Sequence, residues 1–216
     1  MDDNKQFTIT KKDVPKQIFQ LKIALKWSKP PIWRRLLISN ECTFLNLHQA
    51  IQDCFNWGEY HLHKFFFCVD KNPYARVYIH GVYPDEPYPP ELEYDDGIPE
   101  DEVRLCDVFS PQQEYVTYHY DFGDNWDHSI KLEKVFPNTN NFRSFICVGG
   151  KRAAPPEDCG GIYGYDRLLK ILKNPLHREY KELKEWVGND FEPEKITSPM
   201  KKMTLQEISD KYGPEL

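Results

Sequence analysis

The chain has 216 residues, of which 40% are hydrophobic and 14% aromatic, and its formal net charge is −6. This length suits one domain that buries a substantial core, and the hydrophobic content excludes an intrinsically disordered protein. The negative charge argues against a nucleic-acid partner, and no apolar run approaches the ~20 residues that span a bilayer.

The first part of the chain predicts two strands, a helix and a third strand. Residues 19–27 alternate apolar and polar side chains, which is typical of a half-buried strand, and prolines then force a turn before a second strand at 32–38. Apolar side chains at 47–55 recur at helical spacing behind Thr43, a plausible N-cap. Residues 61–69 predict a strand that is apolar on both faces toward its end.

An acidic segment follows the third strand. Residues 84–102 carry nine acidic side chains and no basic one. Such charge runs are more often exposed connectors than sites, so we expect a solvated, proline-rich loop inserted in the domain.

A β-hairpin is predicted in the middle of the chain. Residues 115–122 and 126–135 alternate apolar and polar side chains on either side of a Gly-Asp-Asn turn at 123–125. This turn would place Phe122 opposite Trp126. The aromatic side chains then share the inward face, and most of the acidic residues face outward.

The last third predicts a loop and three helices. Residues 149–161 are rich in Gly and Pro, and helical patterns follow at 165–172 and 180–187. Thr204 to Glu207 has the sequence of a capping box that opens a short helix.

Strands first and helices last predict an α+β fold: a mixed, largely antiparallel sheet with one early helix and C-terminal helices packed on it. We expect one domain at residues 1–197, with 84–102 inserted, and a C-terminal tail with a short helix at 198–216. The six cysteines have neither C-x-x-C nor zinc-finger spacing, and the N-terminus lacks the apolar stretch of a secretory signal. We therefore expect reduced, buried thiols and a cytoplasmic protein.

Polar and aromatic residues from four segments form a candidate binding cleft. They are Arg34, Arg35, His61, His63, Asp121, Asp124, Trp126, His128, Glu157 and Asp158. Arg34 and Arg35 are strand neighbours that point to opposite faces, so they cannot clamp one ligand together. One of them could bind a phosphate or carboxylate; the alternative is that one makes a structural ion pair with acids of the 85–102 loop or the PPED loop and the other reaches solvent. Glu157 and Asp158 precede a helix, and the helix dipole is an alternative reason for their position.

Three histidines give this cleft a metal-binding hypothesis. His61 and His63 share one face of their predicted strand, and His128 can complete a site with Asp121 or Asp124. A divalent metal is therefore the candidate cofactor. The alternative is that the three imidazoles lie at the edge of the core and bind carbonyls or tyrosines. The spacing between the segments is not diagnostic, so both interpretations stay open.

Four segments in order resemble a known family: KPPIWRRLLI, then LHQAIQDCFNW with HLHKF, then YDFGDNWDHSIKLEKV, then PPEDCGGIYGYDRLLKIL. From about residue 17 to about 196, they resemble the plasmid pRiA open-reading-frame-three-like family. The resemblance implies a compact α+β domain, often associated with plasmids or mobile elements, without an established activity. Some members are labelled resolvase-like. A serine recombinase needs an activated serine near its N-terminus and a basic helix pair, whereas the first serine here is Ser28, in a turn.

Two functional hypotheses follow. The first is a non-enzymatic binding or accessory domain, whose aromatic and acidic surfaces contact an unknown protein or a small ligand. The second is a metal-assisted hydrolase that uses the neighbourhood of His61, His63 and His128. The sequence leaves open whether the protein is an enzyme, and it does not indicate an oligomeric state.

Overall fold

The computed structural model describes residues 9–81, 97–198, 200–201 and 203–216. The strands are β1 (Gln17–Leu25), β2 (Trp33–Ser39), β3 (His63–Cys68), β4 (Arg76–His80), β5 (Ile98–Pro99), β6 (Tyr115–Tyr120), β7 (Trp126–Pro137) and β8 (Phe145–Lys151). The helices are α1 (Phe44–Phe55), α2 (Leu105–Val108), α3 (Gly161–Leu172), α4 (Tyr180–Val187) and α5 (Leu205–Tyr212). The predicted α+β class is confirmed.

The described residues form one eight-stranded sheet in the order β5-β4-β3-β6-β7-β1-β2-β8. Neighbouring strands are antiparallel except β4 and β5, which are parallel. β1 lies between β2 and β7, and its side chains alternate between the two faces of the sheet as predicted. Leu21 and Ile23 are fully buried on one face, and Lys22 lies on the other, beside Trp33.

Helix α1 packs against the core face of the sheet, and its cap forms as predicted. The Thr43 hydroxyl accepts a hydrogen bond from the Asn46 backbone at 3.4 Å, and the Asn46 side chain accepts one from the Thr43 backbone at 3.1 Å. Leu47 is fully buried on the inner side of the helix. The helix ends at Asn56, which adopts the left-handed conformation with φ 58°. The chain then enters the segment that carries the candidate site.

Helix α5 packs on the sheet through a second, smaller core. The capping box at Thr204 forms as predicted, and Ile208 and Tyr212 are each 1% exposed. Their buried neighbours are Ile18, Leu37, Phe136 and Val148. The helix of the C-terminal tail is therefore docked on the strands.

The predicted solvated loop is wrong for residues 98–100, whereas Asp101 and Glu102 are exposed as predicted. β5 pairs with β4, and Glu100 is fully buried with its Oε2 2.9 Å from the Nε2 of His63. The contact with the His63 imidazole replaces hydrogen bonds to water that the Glu100 carboxylate loses on burial. The rest of the predicted loop, residues 84–96, lies outside the described residues.

The hairpin forms, but its predicted register is wrong by two residues. Tyr120, and not Phe122, lies opposite Trp126. The turn is longer because the Asp121 carboxylate accepts hydrogen bonds from backbone N–H groups inside it, and the Asn125 backbone donates to the Asp121 carbonyl at 2.7 Å. Phe122 therefore lies in the turn and contacts His119. A shift of two residues keeps the aromatic series on the same face.

The predicted start of the loop at 149–161 is too early, because Gly149 and Gly150 belong to β8. A Cβ at Gly150 would lie 2.9 Å from the Cδ of Arg34 and 3.0 Å from the Trp33 carbonyl. Glycine is needed here for β8 to pair closely with β2 over the Arg34 side chain.

Candidate metal centre

Three connections meet beyond the ends of the strands: residues 56–62 after α1, 121–125 between β6 and β7, and 152–160 before α3. Three hydrogen bonds join them: Asp121 N–H to the Leu62 carbonyl (2.9 Å), Gly160 N–H to Asp124 Oδ2 (3.0 Å), and Trp57 Nε1–H to the Pro155 carbonyl (2.9 Å). Residues far apart in sequence are thereby held in one place.

His61, Asp121 and Asp158, one residue from each connection, form the candidate centre. The His61 Nε2 lies 3.2 Å from Asp158 Oδ1 and 3.7 Å from Asp121 Oδ2. Potential ligand atoms of the three residues all lie within 4.8 Å of one another. The His61 Nε2 is buried and makes no hydrogen bond within the described part of the chain. The nitrogen therefore faces two carboxylates without a directed bond to either.

The two aspartates are held in place by their backbones. Both adopt the left-handed conformation, with φ 55° at Asp121 and 57° at Asp158, which is uncommon for residues other than glycine. The Asp121 Oδ1 accepts hydrogen bonds from Gly123 N–H (2.9 Å) and Asp124 N–H (3.2 Å), so its Oδ2 is the oxygen directed toward His61. The Asp158 side chain is 72% exposed. One carboxylate is thus built into the turn and the other opens to solvent.

Glu157, the neighbour of Asp158, has a structural role. Its Oε1 accepts a hydrogen bond from the Tyr120 hydroxyl at 2.5 Å and its Oε2 accepts one from the Gly58 backbone at 2.9 Å. Burial and this bond to Glu157 raise the pKa of Tyr120. Trp57 stacks on the Tyr120 ring at 5.0 Å. The two oxygens of Glu157 therefore anchor the loop that carries Asp158.

His63 lies inside the core and does not join His61. Its ring stacks on His48 at 3.5 Å, with the two planes 1° apart, and its Nε2 contacts buried Glu100. Burial lowers the pKa of both histidines to about 3. The predicted pairing of His61 with His63 assumed that both lie on the strand, but β3 begins at His63, so strand periodicity does not apply to His61.

His128 also lies in the core. It is fully buried, its Nδ1 contacts the Trp126 carbonyl at 3.1 Å, and its ring packs edge-on against Phe55 and Trp57. Burial lowers its pKa to about 3. The Tyr120 hydroxyl is not a partner of His128, because it donates its hydrogen bond to Glu157. Among the described residues, only His61, Asp121 and Asp158 form a group of three whose potential ligand atoms lie close enough to hold one metal ion. His63 and His128 are not part of this group.

The two arginines point to opposite faces, as predicted. Arg34 is buried, and its Nε donates to the Cys54 carbonyl at 2.7 Å. Arg35 makes a two-pronged ion pair with Glu133 of β7, at 2.6 and 3.0 Å, so its partner is a strand residue and not an acid from the described part of either loop. Trp126 is buried and packs in the aromatic core. Asp124 accepts a hydrogen bond from the Gly160 backbone and so contacts the loop that contains Asp158.

Sequence reasoning missed several residues that hold the site. Trp57, Gly58 and Tyr120 fix the loop of Glu157 and Asp158, and His48 with Glu100 fixes His63. The alternation in the hairpin predicted that Tyr120 faces inward. It could not predict that the Tyr120 hydroxyl binds Glu157, because that residue lies 37 positions away in the sequence. Glu100 was hidden in an acidic run.

One imidazole nitrogen and two carboxylate oxygens suit Zn²⁺, a borderline cation, and also Mn²⁺, a harder cation that favours carboxylate oxygens. Ligand atoms 2.0–2.2 Å from a tetrahedral cation lie roughly 3.4 Å apart, close to the two distances from the His61 Nε2. Three protein ligands leave coordination positions for water or for a donor atom of another molecule.

Comparisons with known proteins identify the family. The model of the plasmid pRiA4b ORF-3-like proteins matches residues 17–199. The chain belongs to this family. The three connections that form the candidate centre therefore belong to a protein of the pRiA4b ORF-3-like family. None of the helices in the described parts of the chain is long and apolar enough to cross a membrane.

Two relatives support the assignment. The uncharacterized protein y4hQ of Sinorhizobium fredii (strain NBRC 101917 / NGR234) is 31% identical over 175 residues, which cover 80% of this chain and 81% of the relative. The crystal structure of MM3350, a protein of unknown function from Methanosarcina mazei Go1, is 36% identical, with a TM-score of 0.73 over 86% of this chain and 97% of that one. The family has no established activity, and the association with mobile elements stays a prediction.

Proposed function

We propose that this pRiA4b ORF-3-like protein is a binding domain that holds a divalent cation through His61, Asp121 and Asp158. The observation that carries the proposal is the His61 Nε2, a buried nitrogen without a hydrogen bond in the described residues that faces two carboxylates from separate connections. A cation between these groups would satisfy the nitrogen and neutralise both carboxylates.

The partner that fits best is a small ligand that offers an oxygen donor to the cation. A cavity of about 360 Å³ borders Asp158 between α3 and α4, with Arg167 and half-exposed Trp186 in its lining. This volume lies in the range of small-molecule sites. A nucleic-acid partner is disfavoured by the charge of −6. We place the protein in the cytoplasm, because all six cysteines are free thiols.

The test is calorimetric titration of the chelator-stripped protein with MnCl₂ and with ZnCl₂. We expect one site per chain in the wild type, and at least a tenfold loss of affinity in His61→Asn and Asp121→Asn because each removes one of three ligands. His119→Asn is the matched control, since His119 Nδ1 lies 2.6 Å from Asp127 Oδ1 in an ion-pair cluster with Lys26 outside the site. Absence of binding in the wild type, or an equal loss in His119→Asn, would overturn the proposal and leave His61 as an ion-pair partner.

Metal-assisted hydrolysis is the second candidate, and the open coordination positions favour it. Hydrolysis also needs a proton acceptor beside the cation, and the nearby Glu157 already accepts hydrogen bonds on both oxygens. We therefore expect the Mn²⁺- or Zn²⁺-loaded protein to hydrolyse p-nitrophenyl acetate and bis-p-nitrophenyl phosphate no faster than Asp121→Asn. Turnover that depends on Asp121 would instead support the enzyme.

A further inference from the structure

A cavity of about 380 Å³ lies between α5 and the sheet, away from the candidate metal centre. Its volume is in the range of small-molecule sites. Val148, Met203, Leu205 and Ile208 give it an apolar wall, and Leu205 is 53% exposed there. The other lining residues come from β1, β2 and β7 and are polar or charged. One part of the cavity therefore suits a hydrocarbon group, and the other suits an ionic or hydroxyl group.

Gln20 is the residue of this lining with an unused hydrogen-bonding atom. It is 2% exposed on β1, and its Nε2 donates to Glu133 Oε2 at 3.0 Å. Arg35 binds both oxygens of the same carboxylate, which is ionised in this pair and only accepts hydrogen bonds. The Gln20 amide is thereby oriented, and its Oε1 is buried without a hydrogen-bond partner in the described residues. A ligand hydroxyl that reaches this oxygen would remove the cost of the unmade hydrogen bond.

The charges of the lining leave one cation in excess. Arg35 is paired with Glu133, and Lys134 is paired with Glu215. The ion pairs among the described residues include none for Lys131. Although the whole chain has a net charge of −6, the cavity is locally positive. It therefore favours an anion over a cation.

We propose that this cavity binds a small amphipathic carboxylate that carries a hydroxyl group, such as a medium-chain hydroxycarboxylic acid. The hydrocarbon chain lies against Met203 and Leu205, the carboxylate pairs with Lys131, and the hydroxyl donates to the Gln20 Oε1. A hydroxyl suits Gln20 better than an ammonium group does, because the excess positive charge repels a cation. The site shares no residue with the candidate metal centre and is independent of it.

The test is calorimetric titration of the full chain with 3-hydroxyoctanoate, in buffer with EDTA so that the carboxylate cannot bind through a metal ion. We expect one site per chain. Octanoate lacks the hydroxyl and should bind about fivefold more weakly. 3-Hydroxybutyrate lacks most of the hydrocarbon chain and should bind more weakly by roughly tenfold or more.

Variants separate the contributions of the two polar groups. Gln20→Leu removes the amide oxygen, so it should weaken 3-hydroxyoctanoate about fivefold and leave octanoate unchanged. Lys131→Gln should weaken both ligands about fivefold, because both carry the carboxylate. Lys64→Gln is the matched control. Lys64 lies 5.0 Å from the centre of the Tyr78 ring, much as Lys131 lies 5.3 Å from that of Tyr115, but it is outside the cavity.

No binding by the wild type, or equal affinities for 3-hydroxyoctanoate and octanoate, would overturn the proposal. An equal loss in Lys64→Gln would also overturn it, because the anion would then bind to surface charge in general. If Gln20→Leu fails to fold, NMR of the wild type decides. 3-Hydroxyoctanoate should shift the signals of the Gln20 side-chain amide more than octanoate does, and equal shifts would contradict the proposal.

Discussion

Burial separates the histidines of the core from His61. His48, His63 and His128 are 5%, 3% and 0% exposed, and burial lowers the pKa of each to about 3. These imidazoles are therefore neutral at neutral pH and serve packing. His61 lies at the edge, where its nitrogen faces Asp121 and Asp158. Position, and not residue type, makes His61 the histidine suited to a cation.

The buried histidines predict acid sensitivity. A histidine with a folded pKa of about 3 binds its proton in the unfolded chain, near pH 6.5, before it can do so in the folded protein. Its neutral form thus stabilises the fold above pH 6.5, and that contribution is lost as the pH falls toward 3. Between pH 7.5 and pH 5 the loss is about 2 kcal/mol for each such histidine.

His128→Phe tests this at one position, since phenylalanine keeps the ring contacts and cannot be protonated. Urea unfolding at pH 7.5 and pH 5 should show a free energy of unfolding that falls about 2 kcal/mol less in the variant than in the wild type. An unchanged m-value would show that the same structure unfolds. Equal losses in the two proteins would mean that His128 is not held neutral by burial.

The connection that ends at α3 is fitted to the hairpin turn by two glycines. A Cβ at Gly161, where φ is +66°, would lie 2.4 Å from the Asp124 carbonyl oxygen, whereas at Gly160, where φ is +86°, the nearest atom would be 3.6 Å away. Both positions favour glycine by conformation. Only Gly161 also needs the missing side chain, because two backbones approach each other there.

Gly161→Ala should therefore cost more stability than Gly160→Ala. The left-handed conformation costs about 1–2 kcal/mol in either variant, and the contact with Asp124 adds about 1–3 kcal/mol at Gly161 alone. Denaturant unfolding measures the difference. The displaced loop should also weaken Mn²⁺ binding in Gly161→Ala, because it carries Asp158. Equal stability of the two variants would mean that the loop is not docked on the turn.

At the scale of the whole molecule, the sheet has a core on each face. The larger core includes α1 and α3, and the smaller one depends on α5. Ile208 is 1% exposed on α5, whereas Leu205 on the same helix is 53% exposed. The C-terminal helix therefore covers part of the second face, over β1, β2, β7 and β8.

Ile208→Ala should destabilise the protein by about 2–5 kcal/mol, the usual cost of removing a buried isoleucine side chain. Leu205→Ala, the control on the same helix, should change stability by less than about 0.5 kcal/mol. Thermal or urea unfolding measures both. Matching melting temperatures for the two variants would show that α5 contributes nothing to the fold.

The sequence predicts elements well where a single periodicity acts. Alternation gave β1, and the cap at Thr43 gave the start of α1. Prediction failed where the structure depends on a contact that the local pattern does not show. Glu100 is buried because its carboxylate contacts the His63 imidazole, and the hairpin turn is long because the Asp121 carboxylate accepts a hydrogen bond from the Gly123 backbone within it. Of the candidate site, the residue types were predictable, but His61 meets Asp121 and Asp158 only through contacts between connections.

The most direct test of the central claim is anomalous X-ray scattering from crystals of the full chain grown with ZnCl₂. We predict a zinc peak between the His61 Nε2, Asp121 Oδ2 and Asp158 Oδ1, with ligand distances of about 2.0–2.2 Å. The peak should vanish in Asp121→Asn and persist in His119→Asn. A wild-type map with no peak at His61, or with zinc bound only at the His119–Asp127 pair, would contradict the account.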